Sequence, residues 1–161
     1  MNDVAQHQLA DAWRQCQRHF HHLRHALDSI ADKLPLTGRR LASLDDDAIQ
    51  ALDQFVLRFG RLQDAMGARL LPATLAVLQE PFEDRPMIDK LNRLEKLGFL
   101  ESSNQWQQLR VIRNRFSHDY PDDPEKNAAL LNLAIRSVDD ISAILKRIEE
   151  KLSLPPLERN Q

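Results

Sequence analysis

Apolar residues recur along the start of the chain at alternating spacings of four and three, as Leu9, Trp13, Cys16, Phe20, Leu23, Leu27, Ile30 and Leu34. That rhythm traces one face of an α-helix. Pro35 and Gly38 are expected to close it. A second helix is predicted from Ser43, a good N-cap, with Asp45, Asp46 and Asp47 at the positive end of its dipole. Its stripe runs through Leu52, Phe55, Phe59, Leu62 and Met66. Gly60, Gly67 and Pro72 weaken that pattern, and Pro72 is expected to kink or break the helix because proline lacks a donor and crowds the preceding turn.

A short third helix fits "MIDKLNRLEKL", with Gly98 as a left-handed cap. Ser102 and Gln105 have capping-box spacing and open a fourth helix through Trp106, Leu109, Ile112 and Phe116. Asp123 and Pro124, cap and first-turn proline, open a fifth through Leu131, Ile135, Val138, Ile141, Leu145, Ile148 and Leu152. The prediction is an all-α antiparallel up-and-down bundle of four to five helices, a single domain over residues 1–153 with a flexible tail over 154–161.

Composition narrows the class of function. The chain has 161 residues, enough for one core. A formal charge of -2 gives no bulk attraction to nucleic acid, so any polyanion site must be a local patch. One cysteine, Cys16, excludes an internal disulfide framework and suits a reducing compartment. The start "MNDVAQHQLADAW" lacks the basic and apolar parts of a signal peptide, and no apolar run approaches ~20 residues, so a cytoplasmic protein without membrane contact is expected.

The stretch "RNRFSHDY", residues 113 to 120, puts arginines, an asparagine, a histidine and a tyrosine where Pro121 stops a helix from continuing. At ~100° per residue, Val111, Asn114 and His118 fall opposite the buried stripe of the fourth helix, and Arg113 lies about 140° from His118. One cleft holds both only if the helix unwinds near His118 or a second chain contributes. A plain alternative is that basic residues at a helix C-terminus interact with the dipole, worth ~0.3 to 1 kcal/mol.

"RNRFSHDY" resembles the signature of HEPN-domain proteins, an arginine, four residues, a histidine, one residue and a tyrosine. Specifically, it resembles HepT-like toxins paired with minimal nucleotidyltransferase antitoxins. The likeness extends upstream through "LEKLGFLESSNQWQQLRVIRNRFSH" and more faintly through "FVLRFGRLQDAMG". It implies a helical homodimer whose two motifs face one cleft, and a metal-independent endoribonuclease with RNA as substrate and no cofactor. His118 is then the general acid or base, since imidazole titrates near neutrality. Arg113 stabilises charge growing on the phosphoryl oxygens through its fork of donors. Both side chains are expected to face solvent. Asn114 is the motif's polar residue, and Asp64 is the acidic residue that many HEPN nucleases carry nearby, placed to pair with Arg113 or orient His118 or simply solvated.

Tyr120 matches the tyrosine that the partner nucleotidyltransferase antitoxin adenylylates, and phosphate there would oppose an RNA backbone by charge and bulk. Rival readings are a non-catalytic nucleotide- or substrate-binding subunit of a nucleotidyltransferase, and a helical interaction module. In the first helix Arg14, Arg18, His21 and His25 form a basic stripe, either solvated or a set of phosphate contacts. His21 and His25 stand one turn apart, but no third ligand is evident, so no metal is expected.

Overall fold

The computed structural model describes residues 3–117 and 122–158, and its elements are helices, with no strand among the described residues. In order they are α1 (Asp3–Ser29), a 3-10 turn (Ala31–Lys33), α2 (Gly38–Ala42), α3 (Asp46–Ala65), a π-helical turn (Met66–Leu70), α4 (Leu71–Val77), α5 (Met87–Lys96), α6 (Ser103–Arg115) and α7 (Pro124–Leu152). The protein is an all-α helical bundle. No helix among the described residues is long and apolar enough to cross a membrane.

The predicted stripes form the core. Trp13, Cys16, Phe20 and Leu23 of α1 meet Phe55, Phe59, Leu62 and Met66 of the α3 rod, and Ile141, Ile144, Leu145 and Ile148 of α7 complete the same cluster. Burial at this scale drives folding, at about 25 cal/mol per Å² of apolar surface removed from water. It also leaves Cys16 inert, since burial pushes its thiol up to about 12. The α1 and α3 helices run antiparallel. Ala26 and Ser29 late in α1 lie beside Ala48 and Ala51 early in α3, while Gln8 and Ala12 lie beside Ala73 and Ala76 of α4.

Four local expectations are corrected. The second long helix is capped by Asp45, whose carboxylate accepts from the Ala48 N–H at 2.9 Å. Ser43 instead ends α2, its hydroxyl donating to the Arg40 carbonyl. Gly38 does not close α1. It is buried at the head of α2, behind the Thr37 cap, and its N–H donates to Glu125 Oε1. Pro72 does not break the rod, because the wider turn at Met66–Leu70 lets the Leu71 N–H reach back five residues to the Met66 carbonyl and carries Pro72 into the first turn of α4. The start of the tail, residues 154–157, is docked and not loose: Trp13 Nε1 donates to the Pro155 carbonyl at 2.8 Å, Gln17 Nε2 to the Pro156 carbonyl at 2.7 Å, and Leu157 is buried.

The connection that delivers α6 follows its sequence signals. Gly98 has φ +84, where a Cβ would be strained. The Gly98 and Phe99 N–H groups close onto the Glu95 and Leu94 carbonyls, which is a Schellman cap. Ser102 then caps α6 by accepting from the Gln105 N–H at 2.9 Å. Gly67 lets Trp106 approach closely, since a Cβ there would lie 3.2 Å from the indole ring.

Candidate functional site

Helix α6 meets the α3 rod through charge. Asp64 Oδ1 accepts from Arg113 Nε at 3.2 Å and from Arg110 Nη1 at 3.0 Å, and Oδ2 accepts from Arg113 Nη2 at 2.9 Å. Arg113 therefore forks onto the carboxylate with two parallel bonds, the geometry that makes guanidinium pairs strong and directional. Among the described residues these two bonds to Asp64 are the hydrogen bonds of the Arg113 guanidinium.

Arg113 was expected to face solvent, and it is partly exposed. On a helix turning ~100° per residue its angle falls between those of the buried Trp106 and Leu109, so it leaves α6 on the inner side. Its side chain is 31% exposed, while Asp64 is 44% exposed. Hydrogen bonding from Arg113 is the leading reason that the Asp64 carboxyl is held below its ordinary value of 3.8; burial opposes it, and Arg110 adds a smaller lowering. The Asp64 hydrogen bond in turn raises Arg113.

Two clefts flank this ion pair. One, of about 210 Å³, is lined by Val56, Leu57, Gly60, Arg61, Phe116 and Ser117 beside Asp64 and Arg113. The other, of about 430 Å³, lies toward α5, where Met87, Ile88, Leu91, Trp106 and Gln107 join Asp64 and Arg110. A larger cavity of about 570 Å³ between α1 and α4 touches neither Asp64 nor Arg113.

Helix α6 ends at Arg115, and Phe116 caps it. Asn114 is exposed, its carbonyl accepting from the Ser117 hydroxyl at 2.6 Å. His118 and Tyr120 lie outside the described residues. The α1 residues Arg14, Arg18, His21 and His25 are all exposed, with Arg14 paired to Asp11. Among the described residues no group of three or more His, Cys, Asp or Glu side chains is placed to hold a metal ion.

Sequence reasoning missed Arg110, although its spacing of three from Arg113 puts both on one helix face. It also missed His19, which meets Arg58 across the α1–α3 seam at 2.9 Å. Comparison with protein-family models, with curated proteins and with solved structures gives no match to this chain. The likeness to HEPN proteins therefore rests on the motif and its upstream helix.

Asp64→Asn is expected to keep the fold and lose about 1 kcal/mol of stability, since half-exposed ion pairs are screened by solvent. The folded carboxyl titrates below the unfolded one, so its contribution is present above the unfolded pKa and is lost as pH falls through the folded pKa. Urea titrations should separate wild type from Asp64→Asn at pH 6 and bring them together at strongly acid pH. A constant gap across that range would show that the carboxylate charge is not what Arg113 needs.

Proposed function

We propose that this chain is a cytoplasmic, metal-independent endoribonuclease toxin of the HepT-like kind, a type VII-like system. It acts as a homodimer and is restrained by a nucleotidyltransferase antitoxin that adenylylates Tyr120. The observation carrying this reading is the fork of Arg113 onto Asp64. It holds a permanent cation in fixed orientation, with donors to spare, five residues before the motif histidine. A packing module has no need of such a group at the mouth of a cleft, which is why the reading stands above a purely structural role.

The chemistry follows from the residues. His118 takes the proton from a ribose 2′-hydroxyl, the 2′-oxygen attacks the adjacent phosphorus, and the bond from phosphorus to the 5′-oxygen breaks. The leaving oxygen receives a proton from the symmetry-related imidazole or from water. Arg113 offers N–H donors to the phosphoryl oxygens, where negative charge grows as the bonds exchange, and Asp64 keeps its fork from swinging away. Asn114, exposed at the next position, contacts phosphate or orients the pair.

The test uses purified full-length chain and single-stranded RNA with a chelator present. Cleavage leaving 2′,3′-cyclic phosphate and 5′-hydroxyl ends is expected. Co-expression with the neighbouring nucleotidyltransferase should abolish it and add one adenylyl mass to Tyr120. Intact RNA would overturn the nuclease reading and favour a nucleotide-binding subunit, while inhibition with an unmodified Tyr120 would overturn the regulatory one.

A further inference from the structure

Three segments contain no acidic residue, 12–27 in α1, 54–63 in α3 and 102–117 in and after α6, and α3 meets α1 at Arg58–His19 and α6 at the cleft lined by Arg61 and Arg113. In a chain whose 24 acidic residues outnumber its 22 lysines and arginines, this is a separation of charge and not an excess of it. Where they adjoin, Arg58 Nη1 and His19 Nδ1 are 2.9 Å apart, so the imidazole accepts from the guanidinium in its neutral form. Arg58 Nε is buried with no partner among the described residues. Apart from burial, every group acting on His19 is basic: Arg58, Arg18, Arg61 and His22. The same holds for His22, where the groups are Arg58, His21, His25 and Arg18. Arg61 is exposed and also lines the 210 Å³ cleft beside Arg113, which joins this cluster to the site on α6.

From this arrangement we infer that Arg18, His19, His22, Arg58 and Arg61 form a track for the backbone of single-stranded RNA, leading across α1 and α3 to Arg113. Gathering like charges costs stability unless a polyanion neutralises them, and phosphate neutralisation with release of counterions supplies that return on binding. The occupant is nucleic acid and not an acidic protein, because protein interfaces carry an apolar centre depleted of charge whereas nucleic-acid faces are polar and positive. Of the exposed large apolar side chains among the described residues, two, Leu57 and Val111, fall in the three acid-free segments, too few for an apolar interface centre. The stripe Arg14, Arg18, His21 and His25 seen in the sequence contributes Arg18 at its centre, and the α3 arginines supply what one helix alone does not reveal. The identity of the polyanion rests on the nuclease reading, while the charge arrangement does not.

The experiment measures anisotropy of a fluorescein-labelled single-stranded RNA of mixed sequence, on full-length chain carrying His118→Ala so that the probe stays intact. Arg58→Gln with Arg61→Gln is expected to weaken binding at least ~10-fold near physiological salt and to lower the slope of log K against log salt by about 1.4, two charges at ~0.7 each. Because Arg58 is partly buried, Arg18→Gln with Arg61→Gln, both exposed, serves as the second pair and should lower the slope equally. Both pairs binding RNA within ~2-fold of the parent, with unchanged slope, would overturn the track. So would capture of polyglutamate in place of RNA. Cleavage by chain with native His118 is read separately: charge-dependent binding without cleavage sinks the nuclease reading alone, and cleavage without charge-dependent binding sinks the track alone.

Discussion

Replacing His118 or Arg113 by alanine is expected to lower RNA cleavage by about 10²-fold or more and to relieve growth inhibition, with the fold retained. For His118 the expectation comes from the reaction. General acid–base catalysis by a positioned imidazole contributes ~10² to 10⁴-fold, and the chain offers no other histidine within the motif. For Arg113 it comes from geometry, because a preorganised donor aimed at developing negative charge contributes about 10² to 10³-fold. Arg113→Lys is the sharper variant. It keeps the charge, but a lysine ammonium cannot make two parallel bonds to Asp64 while offering a further donor to phosphate, so it should recover little activity. Circular dichroism must show that helix content is unchanged, as expected when Asp64 still accepts from Arg110. Wild-type cleavage by both alanine variants would end the nuclease proposal.

The helices and their inward faces were legible because burial imposes a period. Each residue assigned to the stripe of α1 from Leu9 to Ile30 is buried, as are Leu52, Phe55, Phe59, Leu62 and Met66. Caps with one dominant local interaction were legible too, namely Gly98, Ser102 and Asp123. What escaped depends on partners far away in the chain. Gly38 starts a helix because Glu125 waits for its N–H, and the residues after Leu152 dock because Trp13 needs an acceptor. At Pro72 the expected break is avoided because the turn at Met66–Leu70 shifts the hydrogen-bond register.

The site was half legible for the same reason. Asp64 and Arg113 are 49 positions apart, and their resemblance-based pairing becomes a contact only when α3 and α6 pack. Arg113, expected to face solvent, is only partly exposed. The angle places it beside Trp106, and a guanidinium tolerates that position once a carboxylate meets it. His19 and Arg58 carry no linear motif at all, and nothing short of the α1–α3 seam brings them together.

That dependence of chemistry on packing leads to the largest stability effect expected of a single side chain here. Phe59→Ala should destabilise the protein by about 3 to 5 kcal/mol, the usual cost of removing a buried aromatic. Phe59 is fully buried, stacks on Phe55 with ring centroids 5.8 Å apart, and meets Phe116 edge to face at 5.9 Å. A domain is stable by only ~5 to 15 kcal/mol, so the loss takes a large share of the whole. It also reaches the site, because Phe116 caps α6 and lines the cleft beside Arg113. Removing its ring partner should let that end of α6 move, and cleavage per folded molecule should fall further than the unfolded fraction accounts for. Phe59→Leu refills much of the space and should show a smaller loss in both. Urea midpoints combined with cleavage rates corrected for folded protein give the comparison. A destabilisation under about 1 kcal/mol, or full activity per folded molecule in Phe59→Ala, would show that the end of α6 is held by something other than this aromatic contact.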